Sequence, residues 1–322
     1  MKGGTSRTGC TDQGFECVRT KAKTYLPNPK VNSVSVQNER IVICSPHFDD
    51  AVLSCWSLLE RDPASIVVNV FTGAPDSDFT YWFDQQNGLL SSAMGMQQRA
   101  EEDRDALDLV GKSPIDLGLL DRQYRLRPSP WLHKLFRRVP LLRYVLLRLP
   151  FLDSALYSMA PPDVNQLADA IARAVPDATR IWVPAGIGGH ADHLLVRQAG
   201  LVLAARGLKV CMYADMPYIF RFGWPRWLGP VDGDRAMDWV SAYWAYYFSG
   251  LVTPKNVMEQ ARVVYLTPAE RLRKAEAIYR YATQFDPVKA GRVNDLLRRP
   301  DAMAYEVFWE IESLNTEASD GR

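Results

Sequence analysis

The chain has 322 residues, 47% of them apolar and 23% charged, with a formal net charge of +1. That length carries a large core, and the balance is that of a globular protein, which excludes a disordered or fibrous chain. A near-zero net charge gives no global field to draw nucleic acid, so no such partner is expected, and the lack of a bilayer-length apolar run or an apolar signal segment predicts a cytoplasmic location without a transmembrane segment.

Residues 1–37 are polar, lack periodicity and read as an irregular leader. Ile41–Ser45 reads as a buried strand, stopped at Pro46 and followed by a helix over Asp50–Glu60. Ser65–Phe71 is a second buried strand rich in β-branched residues. A polar loop leads to a helix over Met94–Val110 with Gly111 as its C-cap. Ile115–Leu120 is a third strand and ends at Asp121. Residues 122–162 break the rhythm, with arginines alternating with leucines and Trp131 between prolines. This stretch is expected to be a helical insertion at the rim of the third strand, acting as a lid or a peripheral lipid contact. A hairpin that buries its leucines is the simpler reading. Val164–Val175, Arg180–Pro184, His190–Arg206 and Lys209–Ala214 then read as helix, strand, helix and strand. Residues 215–265 are aromatic-rich, and most of those rings read as core. Thr267-Pro268 opens a helix through Tyr281, with Pro in its first turn beside Glu270. The segment 314–322 is a polar tail. Cys10, Cys17, Cys44, Cys55 and Cys211 are odd in number without CxxC spacing, as expected of free thiols. Strand–helix alternation of this kind predicts one α/β domain over 38–313, with a mostly parallel sheet and helices on both faces.

The chemistry-bearing residues collect at strand ends. His47, Asp49 and Asp50 fall within four residues after the first strand. One imidazole and two carboxylates in a single turn would repel and desolvate one another without a cation. His190, Asp192 and His193 follow the fourth strand, behind Gly186–Gly189. Three of the four histidines thus sit in two clusters, with only His133 elsewhere. Strands of a parallel sheet point their carboxyl ends the same way, so the clusters can meet over one crevice. His47, Asp50 and His193 make the three-ligand set of a catalytic zinc, and Fe²⁺ accepts the same ligands. Asp49 is then available as general base, His190 as general acid or oxyanion stabiliser, and Asp192 as a partner orienting a histidine ring. The competing readings are an Asp49 or Asp50 helix cap, two surface histidines, and a phosphate loop at Gly186–Gly189. The last lacks the dinucleotide fingerprint spacing.

These residues resemble the PIG-L or LmbE-like family of zinc-dependent N-deacetylases. Ser45-Pro46-His47-Phe48-Asp49-Asp50 is similar to its first motif, with Phe48 where proline is frequent. His190-Ala191-Asp192-His193 is similar to the second. Arg99-x-x-Glu102, Leu117-Gly-Leu-Leu-Asp121 and Lys274-x-x-Ala277-x-x-x-Tyr281-x-x-Gln284 resemble three further segments. The resemblance implies a Rossmann-like fold, metal ligation by His47, Asp50 and His193, Asp49 as base, and contact of Arg99 and Asp121 with sugar hydroxyls. It also implies removal of an N-acyl group, N-acetyl above all, from an amino sugar such as N-acetylglucosamine or a glycoconjugate, with a metal-bound water as nucleophile. Gly188 and Gly189 stand where some members carry an aromatic hydroxyl, so that role falls to His190 or a backbone N–H. The segment Tyr213–Tyr218, with Asp215, is expected to offer rings and a carboxylate to a pyranose. A metal-containing carbohydrate-binding protein without hydrolysis is the alternative; it would have no use for Asp49.

Overall fold

The computed structural model describes residues 39–75, 80, 84, 89–125, 134–135, 138–139, 161–221, 225–228, 238–249, 251, 254–284 and 302–311. The leader 1–37, most of the 122–162 insertion and the 314–322 tail lie outside the described residues.

Five strands, β1 (Ile41–Ser45), β2 (Ile66–Asn69), β3 (Ile115–Asp116), β4 (Arg180–Pro184) and β5 (Lys209–Tyr213), run parallel in the order β3-β2-β1-β4-β5. The centres of β1, β2, β4 and β5 are continuous apolar runs, and Val42, Ile43, Val67, Val68, Ile181 and Val183 are fully buried, as a sheet covered on both faces requires, whereas β3 has only the two residues Ile115 and Asp116. The order reverses between β1 and β4. That reversal opens a crevice at the carboxyl ends of these two strands, where both histidine clusters sit. Two further strands, β6 (Arg262–Tyr265) and β7 (Tyr305–Glu310), complete a seven-stranded sheet, β7 antiparallel to β5 and β6 antiparallel to β7. Neither was expected from the sequence: β6 is a four-residue run at the end of the aromatic-rich region, and β7 mixes charged and aromatic residues beyond it.

The helices are α1 (Asp50–Ser54), α2 (Trp56–Arg61), α3 (Ser92–Asp108), α4 (Arg122–Arg125), α5 (Val164–Ala174), α6 (Ala191–Ala205), α7 (Asp238–Tyr247), α8 (Pro254–Glu259) and α9 (Pro268–Tyr279). None among the described residues is long and apolar enough to cross a membrane. Helix α5 buries Leu167, Ala168 and Ile171 and is capped by Asp163, whose side chain accepts from the Gln166 N–H. Helix α6 lies close on β4 because residue 200 is glycine: a Cβ there would stand 2.9 Å from both Val183 methyls. Helix α9 starts with the expected proline and a full capping box between Thr267 and Glu270. Trp244 and Phe248 pack edge-on or tilted against Trp309 with ring centroids 6.1 and 4.8 Å away, so much of the aromatic region is core, although Tyr246 remains 69% exposed. Cys44, Cys55 and Cys211 are free and buried, and burial pushes the Cys44 thiol up to about 12.

The single helix expected over Asp50–Glu60 is broken at Cys55. The Glu306 carboxylate reaches across from β7 and accepts from the Trp56 and Ser57 N–H groups at 2.7 and 2.9 Å, capping a new helix there. Glu306 is also paired with Lys274 of α9 at 2.7 Å, and both side chains are fully buried. Removing one partner leaves an uncompensated buried charge, so Lys274→Met is expected to cost about 3–5 kcal/mol in urea unfolding. A loss below about 1 kcal/mol would show that the pair contributes no more than a surface ion pair.

Candidate metal and catalytic site

The first cluster is shaped by the turn between β1 and α1. Ser45 Oγ accepts from the Ala51 N–H at 2.9 Å and donates to the His47 carbonyl. Asp50 Oδ2 accepts from the His47 N–H at 2.8 Å. Asp49 occupies the N-cap position of α1 yet makes no side-chain capping bond. The capping reading therefore fails for Asp49: Ser45 serves the helix start, and the Asp49 carboxyl is left for other work. It is 9% exposed. Burial, with the Asp50 charge beside it, pushes its carboxyl up to about 7.

The three expected metal ligands converge. His193 lies on the first turn of α6 and is 1% exposed. Its Nδ1 bonds Asp215 Oδ1 at 2.7 Å, and the other Asp215 oxygen accepts from the Ile187 N–H at 2.9 Å. In the neutral ring that partner favours the hydrogen on Nδ1, so that the lone pair lies on Nε2. His193 Nε2 is buried and has no hydrogen-bond partner, 3.3 Å from Asp50 Oδ2. The same oxygen lies 3.1 Å from His47 Nδ1. Ring nitrogens of His47, His190 and His193 all fall within 4.8 Å of one another. An orphaned imidazole nitrogen facing a carboxylate shared with a second imidazole is a donor set that suits zinc or Fe²⁺. Burial disfavours a charge on His47, but Asp121, Asp192 and Asp50 outweigh it and hold its pKa well above the ordinary value. For His193, Asp50 and Asp215 overcome burial and raise the pKa to about 9. The pocket thus favours positive charge at its centre.

The histidine that Asp192 meets is His47: its Oδ2 is 3.3 Å from His47 Nε2. It is itself held by the Arg122 N–H at 2.8 Å and by an ion pair with Arg125, whose guanidinium also lies over the Phe71 ring. The start of the insertion is thereby fastened to the second motif. Asp121 places Oδ2 3.5 Å from His47 Nε2, on the rim, and Oδ1 accepts from the Gln123 N–H. His190 is N-terminal to α6 with a buried, unpartnered Nδ1; burial and the two neighbouring histidines lower its pKa to about 3, so the ring is neutral.

Two placements differ from the sequence reading. Asp215 does not face a sugar; it is fully buried behind His193. Its position at the end of β5, next to β4, was the available signal. Arg99 is buried in α3 and donates to Asp84 Oδ1 at 2.6 Å, while Tyr124 and Ser92 donate to Asp84 Oδ2. Tyr218, the last ring of the Tyr213–Tyr218 segment, does stand beside the histidines. Its ring stands 5.2 Å from His193 and 5.9 Å from His190. Gly188, at φ +98°, makes room for it, since a Cβ there would meet Tyr218 Cβ at 2.5 Å.

No protein-family model and no curated protein matches the sequence. Solved structures do. A deacetylase of the teicoplanin biosynthesis pathway, bound to bog, superposes with a TM-score of 0.56 at 23% identity, covering 84% of this chain and 97% of that one. The zinc-inhibited form of teicoplanin deacetylase gives 0.54 at 21% identity over the same shares. The deacetylase of the A40926 pseudoaglycone gives 0.51 at 23% identity, over 84% of this chain and 96% of that one. This chain therefore has the fold of those deacetylases, the α/β fold that its resemblance to the PIG-L or LmbE-like family implies.

Proposed function

We propose that the protein is a metal-dependent N-deacetylase that removes an N-acyl group, N-acetyl above all, from an amino sugar or glycoconjugate. The observation that carries this reading is the meeting of His47, Asp50 and His193, beside an Asp49 carboxyl that caps nothing. His47 Nδ1, Asp50 Oδ2 and His193 Nε2 are the atoms that would hold the ion. When bound, a divalent zinc or Fe²⁺ supplies a Lewis acid that acidifies water and polarises a carbonyl. Asp49 takes the proton from the attacking water, and its raised pKa suits proton transfer near neutrality. The neutral His190 presents a ring N–H to the carbonyl oxygen as charge develops there, or relays a proton to the leaving amine. Asp192 and Asp215 keep the His47 and His193 rings in orientation. Asp121 at the rim accepts from a sugar hydroxyl, and the Tyr218 ring offers an apolar face to a pyranose. Arg99 belongs to the wall that supports this surface. Deacetylases of the same fold serve teicoplanin biosynthesis, which favours a sugar carried on a larger molecule.

The test is metal analysis of the purified protein, followed by a primary-amine release assay on N-acetylglucosamine, its glycosides and N-acylated glycopeptides. Stoichiometric zinc or iron with amine release on at least one substrate is expected. Bound metal with sugar binding and no amine release would instead establish a carbohydrate-binding protein.

A further inference from the structure

Two of the three proposed metal ligands, His47 and Asp50, sit with the proposed base Asp49 on one turn, and that turn is held from beneath by a contact with the far end of the chain. Tyr281, just past α9, is fully buried. Its hydroxyl lies 3.1 Å from the carbonyl oxygen of Phe48 and 2.7 Å from Asp103 Oδ1. Asp103 is on α3 and is 1% exposed. Its second oxygen accepts from Asn69 Nδ2 at 2.7 Å, at the carboxyl end of β2, and the same amide reaches Asp116 at 3.1 Å. Two residues past Tyr281, the Thr283 hydroxyl donates to Glu102, so the end of α9 is fastened to α3 at a second point.

One hydroxyl has one hydrogen and cannot donate to both Phe48 and Asp103. Both contacts are satisfied when the carboxyl itself carries a proton. Asp103 Oδ1–H then donates to the Tyr281 oxygen, and Tyr281 O–H donates to the Phe48 carbonyl. Burial pushes the Asp103 carboxyl up to about 8 despite the bonds it receives, which keeps that proton in place at neutral pH. The Phe48 carbonyl belongs to the peptide group that carries the Asp49 N–H. Rotation of that peptide plane would swing Asp49 relative to His47 and Asp50. The Phe48 ring is anchored separately, against Met96 and Tyr124.

We propose that Tyr281 and Asp103 are positioning residues: a buried hydrogen-bonded strut that fixes the Phe48–Asp49 peptide and so presents His47, Asp49 and Asp50 in register. The strut's effect on metal and turnover rests on the deacetylase reading above; its effect on the turn does not.

Tyr281→Phe removes only the hydroxyl. Hydrogen exchange of the peptide covering residues 46–54, followed by mass spectrometry, is expected to be about tenfold faster in this variant without metal or substrate. Zinc affinity by chelator competition is expected to fall about tenfold, as for other groups that orient ligands. The kcat for amine release is expected to fall about tenfold with KM unchanged. Asp103→Asn retains an N–H donor toward Tyr281 and is expected to behave as the wild type, whereas Asp103→Ala is expected to reproduce Tyr281→Phe. Unchanged exchange over residues 46–54 in Tyr281→Phe would overturn the strut, as would Asp103→Asn proving as damaging as Asp103→Ala. A wild type that releases no amine would sink the deacetylase reading, while the exchange measurement still decides the strut.

Discussion

Asp49→Asn is expected to lower kcat for amine release by about 10²- to 10⁴-fold, the range removed with a general base, and to leave zinc stoichiometry unchanged. The amide keeps the size and planarity of the carboxyl but cannot accept the water's proton. Asp49 makes no capping bond and α1 is started by Ser45, so the substitution leaves the helix start intact. Metal content by elemental analysis and kcat on an N-acetylated amino sugar, measured on the same preparation, check it. Near-wild-type turnover would remove Asp49 from the mechanism. Loss of zinc along with activity would make it a ligand.

The second large effect is at His193. His193→Ala removes the buried nitrogen that has no hydrogen-bond partner and is expected to abolish both bound metal and amine release. It also strips Asp215 of its imidazole partner inside the protein. Asp215→Asn is the finer probe. The ring stays, but the acceptor that places its hydrogen on Nδ1 is weakened, and zinc affinity is expected to fall about 10- to 100-fold by chelator competition. Full zinc occupancy in His193→Ala would show that His47, His190 and the carboxylates hold the ion without it.

The elements read correctly from sequence are those whose signals are local. Ile41–Ser45 and Arg180–Pro184 are apolar runs stopped by proline or glycine, and the structure begins and ends them at the residues expected. Thr267-Pro268 with Glu270 carries its own capping box. Strands β6 and β7 escaped because runs of four and six residues that mix charged and aromatic types have no periodicity that distinguishes them from loop or helix. The helix break at Cys55 escaped because its cause, Glu306, lies 250 residues away in the chain. At the site, the histidines and aspartates were legible as chemistry crowded at strand ends. Arg99 was legible as a charged residue, but its burial against Asp84 was not.

By itself the sequence determines which residue types stand at the ends of β1 and β4, and that a parallel sheet brings those ends to the same side. A strand's polarity and its stopping point are local properties, so His47, Asp49, Asp50, His190, Asp192 and His193 are identifiable without coordinates. Only the tertiary structure decides how they pair. Asp192 meets His47 across 145 residues, Asp215 meets His193, and Tyr281 meets the Phe48 carbonyl across 233 residues. Those adjacencies follow from the strand order β3-β2-β1-β4-β5 and from which face each helix covers, and packing of the whole core sets both.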